Sequence, residues 1–266
     1  MDDFSYVTII STDNYIIGAL ALYKSLKRVK SKYPLTIILS KNINKSIDKI
    51  LQKKNINYIR LKDTIEGTKN NKDSEYLLWS NTFDKLFIFE LIQFKKIVFL
   101  DSDMMIVNNI DHLFEKKHMS AVVSDRINDA SCCELNSGLI VLDPQIGILN
   151  QMKGLIQDVS IKFQNFGDQD IIRLYFHDWK NSKELKLDDG YNMYYPDINT
   201  FIQQGYRLYG AKKIYVIHFV GAKKPWNYSI KKVYRTLTYF NKYFFLKYLY
   251  FLYTQKINLF FVKISN

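Results

Sequence analysis

Short β-branched runs alternate with segments of helical period through the first hundred residues, and few folds accept that order. Residues 6–10, Tyr-Val-Thr-Ile-Ile, read as a buried strand. Residues 15–30 follow with Ile16, Ala19, Leu20, Leu22 and Leu26 at helical spacing. The pattern predicts strands at 35–39, 56–61 and 97–100 and helices at 43–53 and 82–94. Residues 62–74 are polar and charged and read as a mobile loop. Further strands are expected at 121–124, 139–142 and 214–219, and helices at 145–157 and 169–176. Such alternation implies an α/β chain with a mostly parallel central sheet covered on both faces. At 266 residues the chain suits one domain with an appendage. We divide it into a main domain over 1–228 and a basic, aromatic, helical C-terminal extension over 229–266.

Composition excludes several alternatives. Cysteine occurs twice, as the neighbours Cys132 and Cys133. A disulfide scaffold or a paired-cysteine zinc module is therefore excluded, and the two thiols are expected to be reduced. No basic and apolar leader opens the sequence, and no run of 18 apolar residues occurs. The expectation is a soluble, intracellular, cytoplasmic protein. The net charge is +12, and its distribution matters more than its size. Twelve basic and no acidic residues follow Asp197, which leaves 26 basic against 26 acidic before it. The C-terminal quarter should therefore meet something anionic. Packing of the extension on its own domain is the favoured reading. Peripheral contact with an anionic membrane comes next, and nucleic acid is unlikely on this pattern.

Four clusters carry chemical potential. Asp101-Ser102-Asp103 directly follows the strand at 97–100. Ligands bind at the carboxyl ends of strands in open α/β sheets, and two carboxylates one residue apart can share a hard divalent cation. Taken alone, the same tripeptide suits an ordinary surface turn. His218 to Trp226 forms a second cluster. In it His218 can complete a Mn²⁺ site, Gly221 lets backbone approach a phosphate, and Lys224 offers that phosphate a positive charge. Asn136 and Ser137, with Asp168 and Gln169, can hydrogen-bond sugar hydroxyls. Asp168 also stands where a helix should start, so N-capping competes with catalysis there. Ser11 to Tyr15 link the first strand to the first helix. They lack the GxGxxG dinucleotide signature, but Tyr15 can stack on a base.

In this order and spacing, the elements resemble glycosyltransferase family 8, most closely its glycogenin-like members. The matching runs are Val7 to Tyr15 with Gly18-Ala19-Leu20, Lys85-Leu86, Val98 to Asp103, and Asn108-Ile110-Asp111-Leu113-Phe114. They continue with Asn136-Ser137-Gly138, Gly167-Asp168-Gln169, and His218 to Gly221 with Lys224 to Tyr228. The resemblance covers about residues 4–230. It implies a GT-A fold, with a Rossmann-like nucleotide half and an acceptor half in one continuous sheet. It also implies a UDP-sugar donor, Mn²⁺ (with Mg²⁺ as a substitute) and retention of anomeric configuration. Carried over by position, Asp101, Asp103 and His218 bind the metal. Ile9, Ser11, Thr12 and Tyr15 hold uridine, with Ser102 in the donor site. Gly221 and Lys224 hold the diphosphate, and Asn136, Ser137, Asp168 and Gln169 face the sugar. Lys85 steadies the donor, and Asp168 is the candidate nucleophile.

The implied activity is transfer of glucose from UDP-glucose to a hydroxyl acceptor, on a glycan or protein that can include the enzyme itself. A homodimer is the implied assembly. Two positions depart from the pattern. The tyrosine that glycogenin glucosylates falls at Phe201, although Tyr191, Tyr194, Tyr195, Tyr206, Thr200 and Ser182 lie nearby. An aspartate expected three residues before Asp168 is Asn165. The same fold using UDP-galactose or UDP-glucuronic acid is the nearest alternative. A non-catalytic UDP-sugar or membrane-surface binding module is the alternative of another class.

Overall fold

The computed structural model describes residues 3–65, 83–162, 166–222 and 224–227. The extension at 229–266, most of the loop expected at 62–74, and Asn165 lie outside the described residues.

The alternation expected from sequence is present. Strand β1 (Phe4–Ile10) leads into helix α1 (Ile16–Arg28), then β2 (Leu35–Leu39), α2 (Ser46–Lys53) and β3 (Asn57–Arg60). β4 (Lys96–Leu100), β5 (Met104–Ile106), β6 (Ser120–Val123) and β7 (Leu135–Leu142) follow. After them come α3 (Ile148–Lys162), α4 (Asp168–Tyr175), β8 (Lys186–Leu187), β9 (Met193–Tyr194), α5 (Ile198–Gln203) and β10 (Val216–His218).

Seven strands form one sheet in the order β3-β2-β1-β4-β7-β6-β8. It is mostly parallel, and β7 runs antiparallel to both β4 and β6. The pleat sends successive side chains to opposite faces. Val98 and Leu100 therefore join Leu139 and Val141 on one face, beneath Leu22 and Leu26 of α1 and Leu51 of α2. Ile97 and Phe99 join Ile140 and Leu142 on the other, beneath Met152 of α3 and Ile171 of α4. Strands buried on both faces need apolar residues at every position, which is why these runs do not alternate with polar residues.

Three features differ from expectation. The helix predicted over 82–94 is a 3₁₀ helix, Phe83–Glu90. Three residues per turn align Phe83, Leu86 and Phe89, all fully buried, on one face. The strands do not form one continuous sheet. β5, β10 and β9 make a second sheet, with β10 antiparallel to β5 and parallel to β9. β5, β8, β9 and α5 have no counterpart in the sequence reading. The strands among them are two or three residues long, too short for a periodic signal.

Candidate active site

Two chain turns meet above the carboxyl end of β4. Asp101 leaves β4 directly, and its N–H donates to the carbonyl of Gly138 in β7 (2.8 Å). β5 then pairs with β10 in a register that sets Met104 opposite His218. The Phe219 N–H donates to the Asp103 carbonyl (3.0 Å) and closes the junction. His218 thus stands beside a carboxylate pair more than a hundred positions earlier in the chain.

One ligand atom each from Asp101, Asp103 and His218 lie within 4.8 Å of one another, and the three side chains can hold a metal ion together. His218 Nε2 is 3.1 Å from Asp103 Oδ1 and 3.8 Å from Asp101 Oδ2. Two lysines surround the pair. Lys85 Nζ lies 3.0 Å from Asp101 and 2.8 Å from Asp168, and it donates to Ser137 Oγ (3.2 Å). Lys224 Nζ donates to Asp103 Oδ2 (2.5 Å) and to the Phe219 carbonyl (3.0 Å).

Burial and charge pull these groups in opposite directions. Burial raises the Asp101 carboxyl above its usual range, and Lys85 and His218 offset only part of that rise. Asp103 suffers the same burial, but contacts with His218 and Lys224 outweigh it and hold its carboxyl well below the usual range. Burial disfavours the Lys85 ammonium, yet Asp101 and Asp168 together carry it above the usual lysine range.

The N-capping alternative for Asp168 gives way to a different arrangement. Gly167 is the N-cap residue of α4, and its N–H donates to Asp170 Oδ2 (2.9 Å). The Asp168 side chain is buried, with Oδ2 receiving Lys85 and the Ser137 hydroxyl (3.2 Å). Gln169 Oε1 accepts the Ser137 N–H (2.9 Å), which ties the start of α4 to β7.

The remaining predicted residues differ in exposure. Ile9 is buried in β1, Ser11 is half-buried and Thr12 exposed. Tyr15 packs edge-on against Trp226 (centroids 5.6 Å apart), and Lys224 Nζ stands 5.9 Å from its ring centre. Burial raises the Tyr15 phenol. Ser102 is buried under α1. A β-carbon on Gly18 would fall 2.3 Å from the Ser102 carbonyl oxygen, so a side chain there would push α1 off the Asp-x-Asp turn. Gly221 is exposed at φ +88°, with open space around the position of a β-carbon. Its need for glycine is the left-handed backbone of the turn that returns Lys224 to Asp103.

Asn136 belongs to a side-chain network. It is buried in β7, where its Oδ1 accepts from Asn192 Nδ2 (2.6 Å) and from the Gly138 N–H (2.9 Å). Its Nδ2 donates to the Tyr194 hydroxyl (2.5 Å). Asn192, which the sequence reading did not single out, is 2.8 Å from His218 Nδ1. No sequence signal marks Asn192, because its partners come from β7 and β10. Phe201 is buried in α5, edge-on to Tyr206. Cys132 and Cys133 are free thiols, as expected.

A carboxylate pair and an imidazole at strand ends, flanked by buried lysines, make a candidate cation site where open α/β sheets bind their ligands. The family model for glycosyl transferase family 8 matches residues 6–229. Glycogenin-1 of Mus musculus is 31% identical over 236 residues, covering 86% of this chain and 67% of that protein. Glycogenin-1 of Homo sapiens is 30% identical, covering 86% and 64%. The chain spans about two thirds of the length of these relatives. Among solved structures, the galactosyltransferase LgtC in complex with donor and acceptor sugar analogs superposes with a TM-score of 0.61 at 14% identity, over 84% of this chain and 89% of that one. That likeness shows the GT-A fold. The chain belongs to glycosyl transferase family 8 and is glycogenin-like. By that membership it is an enzyme, a UDP-sugar-dependent hexosyltransferase. Among the described residues no helix is long and apolar enough to cross a membrane.

Proposed function

We propose that this chain transfers glucose from UDP-glucose to a hydroxyl acceptor, with retention and with Mn²⁺ bound by Asp101, Asp103 and His218. The observation that carries the reading is the convergence of those three side chains within 4.8 Å at the carboxyl end of β4. The donor set fits the ion. Carboxylates favour a hard cation, imidazole a borderline one, and Mn²⁺ accepts both, with Mg²⁺ a substitute. When bound, the ion would supply positive charge opposite the departing diphosphate. Lys224 supports the same charge, beside the turn at Gly221, and Tyr15 offers its ring to the base. Ile9, Ser11, Thr12 and Ser102 complete the nucleotide side, and Ser137 and Gln169 the sugar side. Asp168 displaces UDP from the anomeric carbon, and the acceptor oxygen then displaces Asp168, its proton leaving to the released diphosphate. Two inversions give net retention. Lys85, 2.8 Å from Asp168, holds that carboxylate in place for the first step.

The test is the intact mass after incubation with UDP-glucose and Mn²⁺, without added acceptor, beside Asp101→Ala. Hexose-sized increments in the wild type alone would support donor, metal and self-transfer together. Mn²⁺-dependent UDP release without increments would mean an acceptor on another molecule, in keeping with Phe201 being buried and lacking a hydroxyl. Asp101→Ala should lose metal-dependent UDP binding, and unchanged binding would remove the metal assignment. UDP-galactose is the second donor to try, because Asn165 replaces the expected aspartate; UDP-glucuronic acid completes the panel.

Residues 1–228 form the catalytic unit in this reading and 229–266 a separate basic extension. Peripheral contact of the basic residues 229–266 with an anionic membrane stays the second reading, and the enzyme is read as an intracellular, soluble homodimer. Analytical ultracentrifugation with and without anionic liposomes tests both. A monomer that ignores the liposomes at low salt would end these assignments.

A further inference from the structure

We propose that Asn192 is a positioning residue that selects which ring nitrogen of His218 faces the carboxylate pair. The inference rests on the metal site proposed above. Its starting point is a backbone group whose role has no alternative. The N–H of Gly138 can only donate, and it donates to the side-chain oxygen of Asn136 (2.9 Å). That contact fixes the orientation of the Asn136 amide. The atom of Asn192 that reaches Asn136 Oδ1, at 2.6 Å, must then be its NH₂ group. The Asn192 oxygen is left pointing at His218 Nδ1, 2.8 Å away. An amide oxygen can only accept, so it takes the Nδ1–H, and the ring is held with Nε2 turned toward the carboxylate pair. Nε2 is the nitrogen 3.1 Å from Asp103 and 3.8 Å from Asp101.

All three side chains are buried, so water does not compete for these contacts. The chain of four groups runs from β7 to β10 through the turn before β9. The parallel pairing of β9 with β10, His218 opposite Tyr194, holds its far end in register. The Tyr194 hydroxyl accepts from the remaining amide of Asn136, and the Tyr194 ring lies edge-on to His218. Residues that orient a metal-binding imidazole through its second nitrogen typically change metal affinity about 10–100-fold when removed. Asn136 therefore acts through Asn192 on His218, a role different from the sugar contact expected from sequence.

The experiment titrates Mn²⁺ into protein with UDP, following the loss of the free-ion electron paramagnetic resonance signal. It compares wild type and Asn192→Ala. Alanine should weaken Mn²⁺ binding about 10–100-fold. Alanine binding as tightly as wild type would overturn the inference. A wild type that binds no Mn²⁺ would overturn the metal reading and this one with it, which separates the two failures. Should alanine not fold, ¹⁵N spectra of histidine-labelled wild type with Mg²⁺ and UDP decide. A proton on Nδ1 alone supports the assignment; a proton on Nε2, in either the neutral ring or the imidazolium, overturns it.

Discussion

Lys85→Met is expected to cost about 3–5 kcal/mol of folding stability, and to inactivate the enzyme besides. The ammonium is the shared counter-charge of Asp101 and Asp168, at 3.0 and 2.8 Å, and it is largely shielded from water. Methionine fills the same volume and leaves two carboxylates without it. Asp101 then loses a cation that offsets the effect of its burial. A carboxyl raised in the folded state stabilises below its unfolded pKa, and that stability is lost as pH rises through the folded value. Burial already raises Asp101 in the wild type. The deficit of Lys85→Met should therefore be largest at neutral pH and shrink as pH falls toward 5. In the wild type the Lys85 ammonium stays charged across this window, because Asp101 and Asp168 hold it above the usual lysine range. Urea unfolding of both proteins at pH 7 and pH 5 checks this. A deficit under 1 kcal/mol at pH 7, or one that grows on acidification, would show that Lys85 is not the counter-charge of the two acids.

Asp168→Asn is expected to lower turnover by roughly 10³-fold or more while UDP affinity changes little. Asparagine keeps the shape, still accepts from Lys85 and the Ser137 hydroxyl, and loses the negative charge that the proposed mechanism directs at the anomeric carbon. Lys85 retains Asp101 as its ion-pair partner, so the fold should survive. UDP release from UDP-glucose, with UDP binding measured separately by calorimetry, checks both parts. Turnover within tenfold of wild type would remove Asp168 as nucleophile. A parallel collapse of UDP affinity would instead make it part of the donor-binding framework.

Legibility in the sequence followed the length of each signal. β1, β2, β4 and α1 were readable because each spans five or more residues with an unbroken apolar or helical period. The 3₁₀ helix at Phe83–Glu90 was readable as helical but not as 3₁₀, since spacings of three and four overlap in so short a window. Asp101, Asp103, His218 and Lys224 were readable as a set through the order of their motifs, although no single motif is specific. Asp168 read equally as cap or site residue, and the structure makes Gly167 the cap residue, with its N–H bonded to Asp170. Gly221 was read as a point of close approach to phosphate, and the structure adds a left-handed backbone angle that favours glycine there.

The sequence by itself determined the α/β class, the strand that delivers Asp101 and Asp103, and the residue types able to hold a divalent cation and a diphosphate. Those properties follow from local periodicity and side-chain chemistry. Only the tertiary structure decided that β5 and β10 leave the main sheet to form their own, and that Lys85 is shared between Asp101 and Asp168. It alone also decided that Asn136 turns toward Asn192 and His218. Each of those outcomes joins atoms from strands far apart in the chain. Whether such atoms meet depends on register and burial across several elements at once, which no local window of sequence contains.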